Sequence, residues 1–189
     1  MERSAGILLP IFSLPSSYGI GSLGREARDF AAFLHRAGQR WWQILPVGPT
    51  GLGDSPYTSA STFAGNPLLI DLESLAREGL LDEADLAAAQ VPERDQIDYE
   101  ALRENREALL RKAFARGGAR DAAAMAAFAR SQPWVREYAL YAAAKAHFDG
   151  KAWLDWPDAA LRQHQPEAVE RYRAALEEDI AFHTYVQYL

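Results

Sequence analysis

"GILLPIFSLPSSYGIGSLGREARDFAAFLHRAGQRWWQILP", residues 6–46, decides the fold class. It opens on a short apolar run, Gly6 to Leu9, stopped by Pro10, the form taken by a strand buried on both faces. The stretch "SLPSSYGIGSLG" is a loop by composition. From Arg25 to Ala37 the residues Ala27, Phe30, Ala31, Leu34 and Ala37 recur at steps of three and four, and Gly38 stands where a C-terminal cap belongs, so a helix is predicted there. A second strand-like run, Trp41 to Leu45, ends at Pro46. Strand, helix and strand over about 40 residues is the size of a βαβ unit, whose two strands are parallel. The first third of the chain therefore reads as α/β.

Further along, "LLIDLESLAREGLL", residues 68–81, reads as an extended stretch followed by one or two helical turns closing at Gly79, with Asp71 placed to cap the turn at Ser74. From Asp82 the character changes. Asp82, Asp98, Pro133 and Pro166 each precede an Ala-, Leu-, Glu- and Arg-rich stretch, and Gly117 and Gly150 stand at ends, which predicts roughly five helices up to Leu189. "PEAVERYRAALEEDIAFHTYVQYL", residues 166–189, reads as one long amphipathic helix whose apolar face is still running at the last residue. The expectation is a chain that stops inside an element. Two parallel strands alone also leave two sheet edges open and cannot cover both faces, so either more strands follow or the βαβ reading is wrong, and exposed edges predict association or partial disorder unless a neighbouring copy covers them.

Composition narrows the function classes. The 189 residues carry a formal net charge of −6, with no run of Lys or Arg longer than two, which argues against nucleic acid as a partner. There is no cysteine, so disulfides and thiolate metal sites are excluded and a reducing compartment is permitted. "GILLP" is too short for a signal peptide, and no apolar run approaches the roughly 18 residues of a membrane span. No membrane partner and a cytoplasmic location are the expectations.

In α/β sheets and barrels, ligands bind at the carboxyl ends of the strands. Two loops occupy that position, "PIFSLPSSYGIGSLG" and "PVGPTGLGDSPYTSASTFAGNP", both longer than the usual βα connection of about 2 to 6 residues. The second offers Asp54, Ser55, Tyr57, Thr58, Ser59 and Ser61 for hydrogen bonding, with Tyr57 and Phe63 as flat apolar faces. A stacking aromatic beside short donors and acceptors suits a sugar ring. The same composition suits a loop whose hydroxyls satisfy its own backbone in turns, and both readings stay open at this point. Gly19, Gly21 and Gly24 match G-x-G-x-x-G, but Pro10 and Pro15 lengthen the approach from the strand, so the glycines read as a tight turn into the helix rather than a nucleotide site. Asp54 and Asp71 have no identifiable carboxylate partner, and Glu177, Glu178 and Asp179 read as a solvated face, so no catalytic residue is assigned. His35, His147, His164 and His183 lack metal-ligand spacing, and the five tryptophans read as packing residues.

"GILLPIFSLPSSYGIGSLG", "WWQILPVGPTG" and above all "GDSPYTSASTFAGNPLLIDLESLAREGLL" resemble, in order and spacing, the N-terminal part of the 4-alpha-glucanotransferases, the amylomaltase or disproportionating-enzyme family. The resemblance implies the start of a (β/α)8 TIM barrel over residues 1–80, comprising its first two strands and first helix, and an α-helical insertion over residues 81–189, an incomplete barrel overall. It implies transfer of α-1,4-glucan segments with retention, by an Asp nucleophile, a Glu acid/base and a second Asp. Retention requires two carboxyl groups about 5 Å apart. In the family these lie on later strands, so none is expected in this chain and the chain alone is expected to be inactive. Carried over are substrate-binding roles: Tyr57 stacking on the sugar, with Ser55 and Asp54 beside it. Leu52 replaces an aromatic that serves an additional glucan site in some relatives, which puts that site in doubt. No cofactor or metal is implied. Two other readings compete, a non-catalytic α-glucan-binding module and a mainly helical interaction fragment.

Overall fold

The computed structural model describes residues 3–92 and 95–189. Two short strands, β1 (Gly6–Leu8) and β2 (Trp41–Gln43), pair in parallel with Gly6 opposite Trp41 and Leu8 opposite Gln43. Helix α1 (Arg25–Arg36) connects them, giving the βαβ unit that the apolar spacing predicts. Its end is set by Gly38, at φ +69°, a left-handed conformation that costs glycine no Cβ clash. There Gly38 N–H reaches the His35 carbonyl at 3.1 Å and Gln39 N–H reaches Leu34 at 2.9 Å. This paired closure satisfies two of the carbonyls that a helix end leaves without partners and turns the chain directly into β2.

One face of the strand pair is covered by α1. Phe30 meets Trp42 edge-on with centroids 4.9 Å apart, Trp42 Nε1 donates to the Leu9 carbonyl at 2.8 Å, and both aromatics pack against a core of Ile11, Leu14, Ile20, Ala27, Leu68, Leu69 and Leu102. The expectation of strands buried on both faces is corrected by the rest of the pair. Leu8 is 57% exposed and Trp41 66%, because among the described residues the sheet has only two strands and α1 lies on only one of its faces.

A 3-10 turn (Pro67–Leu69) leads into α2 (Leu72–Arg77). Asp71 caps α2 as its position suggests, accepting from Ser74 N–H at 3.1 Å. Then come α3 (Glu83–Ala89), α4 (Tyr99–Gly117), α5 (Ala122–Ser131), α6 (Trp134–His147), α7 (Ala159–Arg162), α8 (Pro166–Ala175) and α9 (Glu177–Tyr188). The starts at Asp82, Asp98, Pro133 and Pro166 hold. The number does not: among the described residues seven helices replace the expected five, because the four-residue α7 has too few positions to show a period and the last helix is broken. Leu176 leaves helical geometry at φ −116° and ψ 26° while its side chain sinks into the core, separating α8 from α9 where the sequence reads as one helix.

The chain forms two compact units, Met1–Gly117 and Gly118–Leu189. In the second, α6 and α9 pack closely where Ala139, Ala143 and Ala144 on α6 are fully buried, since small side chains let helix backbones approach. Phe148, Trp156, Leu161, Val169 and Leu176 fill the adjoining core.

In the first unit Asp85 anchors α3 to α4. It is 4% exposed and accepts from Lys112 Nζ at 2.5 Å and Arg116 Nη1 at 2.7 Å, while completing a capping box with Asp82. The Lys112 ammonium, with the Asp82 N–H and the Arg116 guanidinium, holds the Asp85 carboxyl well below the usual carboxylate range against the opposing effect of burial. A depressed carboxylate stabilises the fold fully above its unfolded value of about 4 and loses that contribution as pH falls through the folded value. Asp85→Ala is expected to cost about 2 kcal/mol at neutral pH, a charged hydrogen-bond loss discounted because Lys112 and Arg116 are 53% and 39% exposed. The variant's urea midpoint should also fall less steeply than the parent's below about pH 4; parallel acid profiles would contradict this role.

Candidate glucan-binding loops

Because β1 and β2 are parallel neighbours, the loops that leave their carboxyl ends start on the same side of the sheet. The first begins with a 3-10 turn at Ile11–Ser13, and Gly21 N–H donates back to the Phe12 carbonyl at 3.1 Å. A cleft of about 820 Å³ opens beside it, lined by Phe12, Ser16 and Ile20 from the loop and by Asp98, Tyr99 and Leu102 around the start of α4. The G-x-G-x-x-G match has a structural purpose. A Cβ at Gly24 would stand 2.5 Å from the Asp71 carboxylate, so glycine admits that carboxylate to the start of α1, where a helix end welcomes negative charge. Asp71 Oδ1 also accepts from Ser22 Oγ at 3.3 Å, and Oδ2 from Ser74 Oγ at 2.5 Å. Asp71 joins α1 to α2 and serves the fold.

Arg106, on α4, lies behind this junction, 3% exposed, with Nη1 donating to the Ile70 carbonyl at 3.0 Å. Burial pushes its guanidinium down to about 10, with Asp71 and Tyr18 pulling the other way. Sequence reading passes over Arg106, since an arginine in a charged helix looks like any solvated one until the fold buries it.

The second loop is pinched at its base, where Asn66 N–H donates to the Val47 carbonyl at 2.8 Å and Asn66 Oδ1 caps Leu68 N–H at 3.0 Å. Its hydroxyls do satisfy its own backbone: Ser61 Oγ accepts from Phe63 and Ala64 N–H at 3.2 and 3.1 Å, and Ser59 Oγ donates to the Ser61 carbonyl at 2.7 Å. Ser55 Oγ accepts from Tyr57 N–H at 3.3 Å; a hydroxyl used as acceptor keeps its own proton to donate. The two readings left open by the sequence are thus compatible. Local turns hold the loop's shape, and the aromatics are left outside it.

Tyr57 and Phe63 are each 71% exposed. Tyr57, held that far into solvent by a turned backbone, gains little from packing, and its ring presents a face suited to a flat apolar partner. Asp54 sits at φ +56°, directly after Gly53 at φ +74°, so the chain reverses just before Ser55. Its carboxylate accepts from Thr50 Oγ1 at 3.4 Å and forms an ion pair with Arg103 on α4. The structure therefore places Asp54, Ser55 and Tyr57 together on one turn. The side chain of Leu52 lies outside the described residues.

Elsewhere the tryptophans divide. Trp42, Trp134 and Trp156 pack as expected, but Trp41 and Trp153 are exposed, Trp41 on the uncovered face of the strand pair. Among the described residues no group of three or more His, Asp or Glu is arranged to hold a metal ion, and no helix is long and apolar enough to cross a membrane.

A family model described as 4-alpha-glucanotransferase matches residues 9–189. The 4-alpha-glucanotransferase of Streptococcus pneumoniae serotype 4 is 43% identical over 193 residues, which is 99% of this chain and 38% of the relative. That of Thermus thermophilus is 43% identical over 194 residues, with the same 38% of its length covered. In three dimensions the chain is similar to the amylomaltase of Streptococcus agalactiae, solved in complex with acarbose, with a TM-score of 0.95 and 38% identity over 99% of this chain and 38% of that one. The chain thus spans 38% of the length of these relatives. The family model's match from residue 9 to residue 189, nearly the whole chain, places this chain in the 4-alpha-glucanotransferase family.

Proposed function

We propose that this chain is the N-terminal, substrate-binding part of an enzyme that transfers α-1,4-glucan segments to an acceptor sugar with retention. In this reading residues 1–80 begin a (β/α)8 barrel and residues 81–189 are a helical insertion, the uncovered strand faces being those that further barrel elements cover. Tyr57 stacks on a glucose ring, Ser55 donates its hydroxyl proton to a sugar oxygen, and Asp54 shapes the turn that leads into them. The observation that carries the reading is Tyr57, held 71% exposed beyond the carboxyl end of β2 by a turn whose own hydrogen bonds are already made. The acarbose complex of the Streptococcus agalactiae amylomaltase supports maltooligosaccharides as the ligand class. The cysteine-free composition suits a cytoplasmic location.

Chemistry is assigned outside this chain. Asp71 is engaged by Ser22, Ser74 and Arg77 and Asp54 by Thr50 and Arg103, so neither is available as the pair of facing carboxyl groups, about 5 Å apart, that retention uses. Incubated with maltotriose, the 189-residue chain is expected to leave it unchanged, whereas a chain extended to the length of the relatives releases glucose and longer maltodextrins. Disproportionation by the shorter chain would overturn the assignment of chemistry elsewhere; inactivity of the longer one would overturn the transferase reading.

A further inference from the structure

Arg103 lies on the second turn of α4, far along the chain from the loop, yet its guanidinium pairs with Asp54 Oδ1. One turn earlier on the same helix Tyr99 lies beneath that guanidinium, 6.0 Å from ring centroid to Cζ, a placement that favours the planar charge where it stands. Asp54 is the second of two successive left-handed residues, at φ +56°, and its carboxylate is 25% exposed. Beyond it the chain passes directly through the Ser55 turn to Tyr57. The turn hydrogen bonds around Ser55, Ser59 and Ser61 are local; the Arg103 pair ties this part of the loop to a long helix.

From this arrangement we infer that Arg103 is a positioning residue for Tyr57, acting through Asp54 to hold the loop in the conformation that presents the ring. The inference rests on Tyr57 being the sugar platform, and the experiment separates the two. Asp54→Asn removes the charge while keeping a residue type that tolerates the left-handed backbone, and Arg103→Gln removes the partner. In the 189-residue chain, amide hydrogen exchange over residues 55–63 is expected to rise about threefold to fivefold in each single variant, the size of effect that a partly exposed ion pair carries. The double variant should exchange no faster than either single one, and Arg103→Lys should restore most of the protection. Additive effects, or unchanged exchange in Arg103→Gln, would overturn the inference. Maltohexaose titration of the same variants reads the consequence: affinity falls in step with loop protection, and a loosened loop with unchanged affinity would also overturn it. Absence of maltohexaose binding in the parent chain would count against the glucan reading alone, leaving the exchange result to decide the role of Arg103.

Discussion

Tyr57→Ala is expected to weaken maltohexaose binding roughly thirtyfold, the effect of truncating an aromatic anchor worth about 2 kcal/mol, while moving the melting temperature by no more than about 2 °C. The two halves of this result have one cause. A ring 71% exposed contributes little to the fold, so its removal is nearly silent there; in the proposed role the same exposure leaves its face open to a sugar. Tyr57→Phe should retain most of the affinity, because the stacking face remains and only the hydroxyl is lost. Isothermal titration beside a thermal melt reads both quantities. A large drop in melting temperature with affinity unchanged would mean that Tyr57 is a packing residue and that the turn presents nothing.

Gly21→Ala is expected to have the opposite profile, a loss of about 3 kcal/mol or more, beyond the ordinary range for one added methyl group. A Cβ at Gly21 would stand 2.1 Å from the Ile11 carbonyl oxygen and 2.8 Å from the Leu14 amide nitrogen. Both are backbone atoms, so no side-chain rotation relieves the clash, and the 3.1 Å hydrogen bond from Gly21 N–H to Phe12 must open. Ile11, Leu14 and Ile20 are core residues of the first unit, so the loop cannot move without disturbing them. Gly38→Ala makes the control. Nothing lies within 4 Å of the place its new methyl group would take, and only the left-handed backbone penalty of about 1–2 kcal/mol applies. Urea unfolding of the two variants should rank them in that order; equal losses would mean that the close approach at Gly21 is relieved elsewhere.

What the sequence discloses follows from how far apart the partners are. The βαβ start is legible because each signal is local: Pro10 and Pro46 stop the apolar runs, and the steps of three and four from Ala27 to Leu34 need only one helix to explain them. The caps at Asp71 and Asp82 are equally local, each answering an amide three residues on. Asp54, Ser55 and Tyr57 stand out because near neighbours on a long strand-end loop share a surface. Arg103, Arg106, Lys112 and Arg116 do not, since each meets its partner across a wide interval of sequence and on its own helix resembles a solvated charge. The exposure of Leu8 and Trp41 escapes sequence reading for a related reason. An apolar run indicates that a strand is suited to burial, but the cover is supplied by other elements, and α1 supplies it on one face only. The break at Leu176 is hidden in turn because its apolar residue continues the helical period while its backbone departs from it.

The central claim is that the loop from Asp54 to Phe63 carries an α-glucan on the face of Tyr57. Its most direct measurement is a maltohexaose titration of the isotopically labelled chain followed by amide and aromatic nuclear magnetic resonance shifts. The account predicts that the largest shifts fall on Ser55 to Ala64 and on the Tyr57 ring, with smaller ones at Arg103. Saturable shifts confined to other surfaces, or none at millimolar sugar, would contradict it.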